Sequence, residues 1–478
     1  VLGLAGIIRL CQIMIVENIQ QTFFTDIALR FAKLLPRLKT RELDAHRGPE
    51  IINRFFEVIP IQKTLSILLI YLIELGIQAI TSFILLSFYH PYLLILDGIL
   101  TIFFILALII PYRKAMESAL GESDYKHKMV AWLEEYLHCV NLVKFNDNDG
   151  FLLKKVDDNI KKYLQYRTVH FNQIVKHFLA FYSIYIFANA ALLGIGGYLV
   201  LIQQLTLGQL VASEIVLNAL VYSFLRICYH LRDLYALAAS SSKINSVLEL
   251  GYEPLVEHEP DSHDDIFPPH IGYENISYIT SLGRQGLTDF SCDIKGSELV
   301  LFKTSSQIAK KILLDILLGF NVNYQGTVRL NGHIMTGEEK LILRKTTSYV
   351  HDIELFPGTL YENLTLESIN TSKMIIIDLF KKLDVLKDVE SLPNGMNSLI
   401  LNHRMDLTHD ALNKLMVIRA ILSKPKLLIL DGIIDRLTVE DTKRLIDTIR
   451  SIDEPKPTVI FTCREHKSNF NFDKVVYV

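Results

Sequence analysis

Cysteine is scarce in this 478-residue sequence, and the five present (Cys11, Cys139, Cys228, Cys292 and Cys463) form no CxxC pair and no metal-ligand spacing. That scatter excludes a disulfide framework, so they read as free thiols in membrane and cytosol. An excess of positive charge is also missing. With 49 Lys and Arg against 52 Asp and Glu, the formal net charge is -3, so the overall balance carries no nucleic-acid footprint and no nucleic-acid partner is expected. No initiator methionine, basic leader or cleavage site opens the chain, which reads as starting inside a hydrophobic helix rather than with a signal peptide. What the sequence has in quantity is apolar mass. Hydrophobic residues make up 50% of it and the mean hydropathy is +0.28, high for a soluble protein. The length predicts two or three domains.

The apolar mass is unevenly placed. From Thr64 to Ile110 the chain is almost continuously apolar, roughly twice the ~20 residues that a helix needs to cross a bilayer core. It reads as two spans, 64–88 and 92–110. The break falls at "YHPY" (Tyr89 to Tyr92), because Pro91 disfavours helix at the residue before it. A second pair, 178–202 and 210–225, is joined by "QQLTLGQ". Residues 1–16 make a fifth, shorter span with Arg9 inside it. Glu74 and Asp97 fall within these runs, where a carboxylate lines a path, pairs inside the bundle or lies near an interface.

Between the pairs, residues 112–176 are polar and rich in Lys and Arg. Val156, Ile160, Tyr163 and Leu164 recur there at helical spacing. The basic bias against the two short connections places this stretch in the cytoplasm. The picture is of membrane helices that continue well beyond the bilayer. Residues 251–270 are acidic and rich in Pro and His, and read as a solvated linker; a metal held by the histidines and acids around Asp261 is the weaker alternative. Beyond it, "SELVLF", "TVRLNG", "TTSYV", "KLLIL" and "TVIFT" alternate with helical patterns, predicting an α/β domain with a largely parallel sheet over 271–478.

Spans with cytoplasmic extensions, a linker and then a sheet ending in "LLILDGIIDRL" (Leu427 to Leu437) resemble one half of an ABC exporter. In that family an all-α transmembrane bundle, here 1–250, is fused to an α/β nucleotide-binding domain of the P-loop NTPase type. "HRGPEIINRFFEVIPIQKTLS" (His46 to Ser66) and "LTLGQLVA" (Leu205 to Ala212) resemble the membrane domain of the type I secretion and peptidase-containing exporter group. "ELFPGTLYENL" (Glu354 to Leu364) is similar to the segment after the Q-loop, and "KLMVIRAILSKPKLLILD" to the helix and strand between signature and Walker B. The resemblance implies an integral protein of a bacterial inner membrane, with its nucleotide-binding domain in the cytoplasm. It also implies a second exporter half as partner.

With that register, each chemical position of the family is altered. The phosphate loop needs glycines whose backbone N–H groups approach a phosphate closely. A gapless register puts Lys303, Ser306 and Ile308 at those glycines, Ala309 at the phosphate-binding lysine and Lys310 at the magnesium-binding hydroxyl. A register shifted by one puts Lys310 at the lysine and Lys311 at the hydroxyl, and restores no glycine. Thr280 stands where an aromatic stacks on adenine, with Tyr278 two residues away. His351 replaces the Q-loop glutamine. The signature reads "LTHDA", keeping the hydroxyl of Thr408 but placing Asp410 near a triphosphate. Asp431 remains as the metal-binding carboxylate of Walker B, Gly432 stands at the catalytic glutamate, and Cys463 at the switch histidine with His466 three residues on.

Two function classes follow. In one, the chain is a catalytically silent transport subunit, paired preferentially with a different, competent half; ATP and magnesium would then be bound weakly or not at all at its own site. In the other it is a non-transporting pseudo-ATPase that scaffolds or regulates another membrane assembly. Any surviving coupling is expected at His351 to Gly358, against a docking helix near Ala131 to Tyr136, although an ordinary amphipathic turn accounts for "AWLEEY" equally well.

Overall fold

A computed structural model describes residues 2–45, 48–146, 150–254, 268–280, 285–304, 306–320, 323–366, 372–400, 407–464 and 470–478. The chain divides into two compact units, Val1–Pro254 and Leu255–Val478. Most of the expected linker, with Asp261, lies outside the described residues, as does His466. The ends of that stretch are tied to their own units. Tyr252 bridges to Leu38 and the Glu253 carbonyl accepts from Arg37 Nε at 3.1 Å, whereas the Pro269 carbonyl accepts from Thr458 Oγ1 at 2.9 Å.

The first unit is helical throughout. Its main helices are Leu2–Leu34, Val58–Tyr89, Pro91–His138, Phe151–Leu201, Leu207–Tyr229 and Leu231–Leu248. By length and composition, four helices among the described residues are able to cross a membrane: Glu50–Tyr89, Pro91–Leu137, Leu153–Leu201 and Leu207–Tyr229. They carry the expected spans 64–88, 92–110, 178–202 and 210–225. Residues 1–16 begin the Leu2–Leu34 helix, which is not among the four, although its Leu4, Ile7, Leu10 and Met14 are exposed. The chain breaks at His90, which is extended (φ -159°, ψ 140°), and Pro91 opens the next helix, where its missing N–H leaves no helical bond unmade. Thr206 and Gln209 form a capping box that starts the last span.

The polar stretch 112–176 continues the spans as helix. Pro91–His138 is 48 residues long, which at ~1.5 Å per residue is about 72 Å, more than twice the ~30 Å of a hydrocarbon core. Ala131 to Tyr136 are the last turns of that helix rather than a separate one, and Asn53 donates to Glu134 there at 2.5 Å. Pro111 sits inside the same helix and cannot donate to the carbonyl of Ala107 four residues back. His177, fully buried, supplies that bond from Nδ1 at 3.0 Å, and its Nε2 accepts from the Tyr235 hydroxyl at 3.0 Å. The helix is thereby tied, at the turn where Pro111 leaves a carbonyl free, to two neighbouring helices. Of the two carboxylates within the spans, Glu74 pairs with Arg226 at 2.7 Å across the bundle. Asp97, fully buried, accepts from Ser82 at 3.1 Å.

The second unit holds eleven strands among the described residues: β1 Ile271–Ile279, β2 Gln285–Ile294, β3 Leu299–Lys303, β4 Gln325–Leu330, β5 His333–Ile334, β6 Thr347–Val350, β7 Gly358–Thr359, β8 Leu399–Ile400, β9 Leu427–Asp431, β10 Thr458–Cys463 and β11 Lys474–Tyr477. Five of them form a wholly parallel sheet in the order β11-β3-β10-β9-β6. Side chains alternate across its faces: Leu299, Leu301, Leu428, Leu430, Val459 and Phe461 enter one core. Val300, Phe302, Leu427, Ile429 and Ile460 enter the other. Both faces are covered, which is why these strands read as unbroken apolar runs.

One of the expected strands lies outside the parallel sheet. "TVRLNG" lies in β4, which joins an antiparallel sheet, β2-β1-β4-β5. Its Asn331-Gly332 turn has φ of 51° and 88° at the two residues, the pair of left-handed residues that folds one strand back onto the next.

Candidate functional site

The carboxyl ends of β3, β9, β10 and β6 lie along one edge of the parallel sheet, the edge at which open α/β sheets hold ligands. The expected site residues Lys303, Asp431, Cys463 and His351 all fall at or just past those ends. Register explains the closest grouping: Thr462 of β10 stands opposite Asp431 of β9.

Asp431 has three side-chain partners. The ammonium of Lys310 lies 2.6 Å from its Oδ1, and both side chains are only 12% exposed. The Thr462 hydroxyl donates to the same oxygen at 2.6 Å, and the Tyr349 hydroxyl donates to Oδ2 at 3.2 Å. Burial first, and then the adjacent Asp431 carboxylate, push the Tyr349 phenol far above its usual range, so it stays a donor. Gly432 follows in a left-handed conformation (φ 68°), its N–H donating to Thr462 Oγ1 at 2.8 Å.

Between β3 and the Gln307–Leu317 helix only Thr304 to Ser306 intervene, with Ser305 outside the described residues. Thr304 N donates to the Cys463 carbonyl at 3.2 Å. Ser306 N donates to Thr304 Oγ1 at 2.9 Å, and Ala309 N donates to Ser306 Oγ at 3.2 Å. Ile308 and Ala309 are therefore helical, and two N–H groups at this helix start are satisfied by the chain's own hydroxyls. Lys303 lies over the Tyr477 ring at 5.7 Å, and Lys311 is exposed.

Of the other expected residues, His351 touches this cluster through Tyr349. His351 stacks on Tyr349 (4.9 Å between centroids), its Nε2 is 3.8 Å from Glu354, and its carbonyl accepts from Arg436 at 2.6 Å. Cys463 is 2% exposed; burial, then the charge of Asp435, push its thiol up to about 11, so it remains a thiol at neutral pH. Thr280 follows β1, half-buried, and with Tyr278 lies beside Gly286 of the antiparallel sheet.

Thr408 is the N-cap of the His409–Leu422 helix, accepting from Ala411 N at 3.2 Å. Asp410 pairs with Lys414 at 3.0 Å, and Lys414 also reaches Asp441 at 2.9 Å. Burial opposes the Lys414 charge, but the two carboxylates outweigh it and hold its pKa above the usual lysine value. Thr408→Ala should lower unfolding stability by about 1 kcal/mol, read as a shift of the urea midpoint at unchanged slope.

Sequence reasoning missed Tyr349, Thr462 and Thr304. The one sequence signal for Thr462 is a polar residue inside the apolar run "TVIFT"; its place opposite Asp431 comes from the strand register.

Residues 1–224 match the family described as ABC transporter transmembrane region. Across both units the fold resembles a solved structure of a bacterial Atm1-family ABC exporter with ATP bound. The TM-score is 0.82, at 15% identity, over 94% of this chain and 80% of that one. The chain thus has the ABC exporter fold: a helical membrane bundle followed by an α/β domain of the P-loop type. It is an integral membrane protein.

Among curated relatives, it is 22% identical over 460 residues to the lactococcin transport/processing ATP-binding protein LcnC-like of Lactococcus lactis subsp. lactis (strain IL1403), covering 95% of this chain. It is also 22% identical over 474 residues to the transport/processing ATP-binding protein ComA of Streptococcus pneumoniae (strain ATCC BAA-255 / R6), again over 95% of this chain. The chain spans 63% of the length of each of these relatives.

Proposed function

We propose that the chain is a transport subunit of an ABC-type exporter of the bacterial inner membrane, its own nucleotide site silent, paired with a competent and different half. The observation that carries the reading is the 2.6 Å ion pair between Lys310 and Asp431. In an ABC ATPase the Walker B aspartate serves the magnesium ion. Here a tethered ammonium takes that carboxylate, and two hydroxyls take two more of its four lone pairs. The short Thr304 to Ser306 connection leaves no loop to wrap a triphosphate. These residues do not fit magnesium-ATP in the usual mode, and we derive no hydrolytic step through them. The cargo class we propose is peptide or protein, on the strength of the relatives named for lactococcin transport and processing.

Equilibrium binding of a fluorescent ATP analogue to the purified chain, with and without magnesium, tests the site. Weak binding that magnesium does not strengthen is expected; magnesium-dependent micromolar binding that is lost in Asp431→Asn sinks the reading.

A second reading, a non-transporting scaffold, draws on Asp410. Its carboxylate, at the start of the helix capped by Thr408, is held there by Lys414, an unfavourable group to present to a partner's triphosphate. Co-purification with an intact exporter half favours the transport subunit; a nucleotide-independent homodimer favours the scaffold.

A further inference from the structure

Just past Ile110, where the apolar run of the first unit ends, the Pro91–His138, Phe151–Leu201 and Leu231–Leu248 helices pack around two buried imidazoles. Both belong to the Phe151–Leu201 helix, and both turn Nδ1 onto carbonyls of the Pro91–His138 helix. His177 donates to Ala107, and His170 donates to Ala115 at 3.2 Å. The two contacts stand about two turns apart on each helix. Tyr235, 3% exposed, comes from the third helix and lies beside both rings. Its ring meets that of His170 edge-on, 5.6 Å between centroids, and its hydroxyl is the one bound by His177. This third helix is the last of the first unit before the linker.

The two imidazoles differ in what can reach them. Both ring nitrogens of His177 are bonded, and the residue is fully buried. His170 is 4% exposed and bonded through Nδ1, and its ring lines a half-open cavity of about 150 Å³. A proton therefore has a route to Nε2, and the charged ring it makes has little water around it.

Charged groups face that ring from each element around it. Glu57, just ahead of the Val58–Tyr89 helix, is held by Lys126 at 2.6 Å. Glu122 of the Pro91–His138 helix is held at 3.1 Å by Arg167, which precedes His170 on its own helix. Arg232 comes from the Leu231–Leu248 helix. Burial has the largest effect on His170 and keeps its pKa below the ordinary histidine value. The Ala115 carbonyl and Glu122 favour the charged ring, Arg232 and Arg167 oppose it, and burial prevails. The closed junction thus takes up a proton less readily than an opened one. Its stability is complete above the ordinary value of ~6.5 and is lost as the pH falls below it.

We propose that His170 is an acid-sensitive latch on the Leu231–Leu248 helix: protonation at Nε2 releases that helix from the two it covers. This helix gives way because it has 18 residues against 48 and 51 in the others, and because its Tyr235 closes the ring in. With ~6.5 for the freed imidazole, the opened state gains about tenfold between about pH 7.5 and 5.5.

Amide hydrogen exchange of the full chain in lipid nanodiscs at those two pH values, divided by the intrinsic rate at each, tests the latch. Opening of Leu231–Leu248 should be about tenfold more frequent at the lower pH, while the His409–Leu422 helix of the second unit keeps its protection. The step should disappear in His170→Asn, whose amide takes the place of Nδ1 on the Ala115 carbonyl. It should disappear equally in His170→Gln, which covers the case that the first variant does not fold. Tyr235→Phe should open the helix more at both pH values and keep the step, because it removes a bond but not the titrating ring. Equal protection at the two pH values in the parent overturns the proposal. So does a step that persists in the His170 variants, or one that the His409–Leu422 helix shares.

Discussion

The purified chain, reconstituted in lipid, should release phosphate from magnesium-ATP no faster than lipid alone, and Asp431→Asn should leave that background unchanged. Losing a general acid–base group ordinarily lowers a rate by ~10²- to 10⁴-fold, and Gly432 offers no such group. More than that one position stands in the way. Phosphoryl transfer depends on positioning and on charge stabilisation by a metal and a backbone cradle. Here the ammonium of Lys310 holds the carboxylate that would serve the metal. The N–H of Ala309 and of Ser306 already have hydroxyl partners.

Restoring the glutamate alone should therefore restore nothing. In Gly432→Glu the new side chain finds open space, since nothing lies within 4 Å of a Cβ there. Its backbone, however, starts at a φ of 68°, which costs an L-residue roughly 1–2 kcal/mol. Phosphate release that depends on magnesium and disappears in Asp431→Asn would falsify this account. It is measured by a coupled phosphate assay across a range of ATP concentrations.

Lys310→Ala should lower the stability of the second unit by about 3 kcal/mol, toward the lower end of what removing one partner of a buried pair costs. The reason is that Asp431, 12% exposed, is left as a nearly buried carboxylate without its cation. Thr462 and Tyr349 still donate to it and keep the loss from being larger. The double variant Lys310→Met, Asp431→Leu should recover much of the loss, because an apolar pair carries no unpaired charge. Denaturant unfolding, with separate probes for the two units, reads both effects. A Lys310→Ala variant as stable as the parent would mean that the pair contributes nothing and that water already screens Asp431.

Much of this architecture was legible in composition and period. Apolar runs of spanning length predicted the membrane helices, and Pro91 predicted where the chain breaks. The five apolar runs predicted as strands are all strands. Two features escaped for physical reasons. "TVRLNG" reads as one more strand, and its antiparallel partners, β1 and, across the Asn331-Gly332 turn, β5, are set by tertiary pairing. For Glu74 the sequence leaves a path, a pairing or an interface open, and the choice depends on Arg226, 152 residues away in sequence and 2.7 Å away in space.

The candidate site divides in the same way. The order of residue types along the chain was enough to say which positions had changed: no glycine from Lys303 to Lys311, a glycine at 432, a cysteine at 463. Local spacing carries that information, because a loop's glycines or a strand's terminal carboxylate are neighbours in sequence. What Lys310 does with its charge was not readable there. Two registers were open, one placing it at the phosphate lysine and one at the magnesium hydroxyl, and the tertiary structure directs it to Asp431 of β9. That contact joins a helix after β3 to the end of β9, with β10 between the two strands. Only packing of the parallel sheet brings those ends to one edge, so the sequence by itself determined which groups the site holds, and the fold decided which charge each one meets.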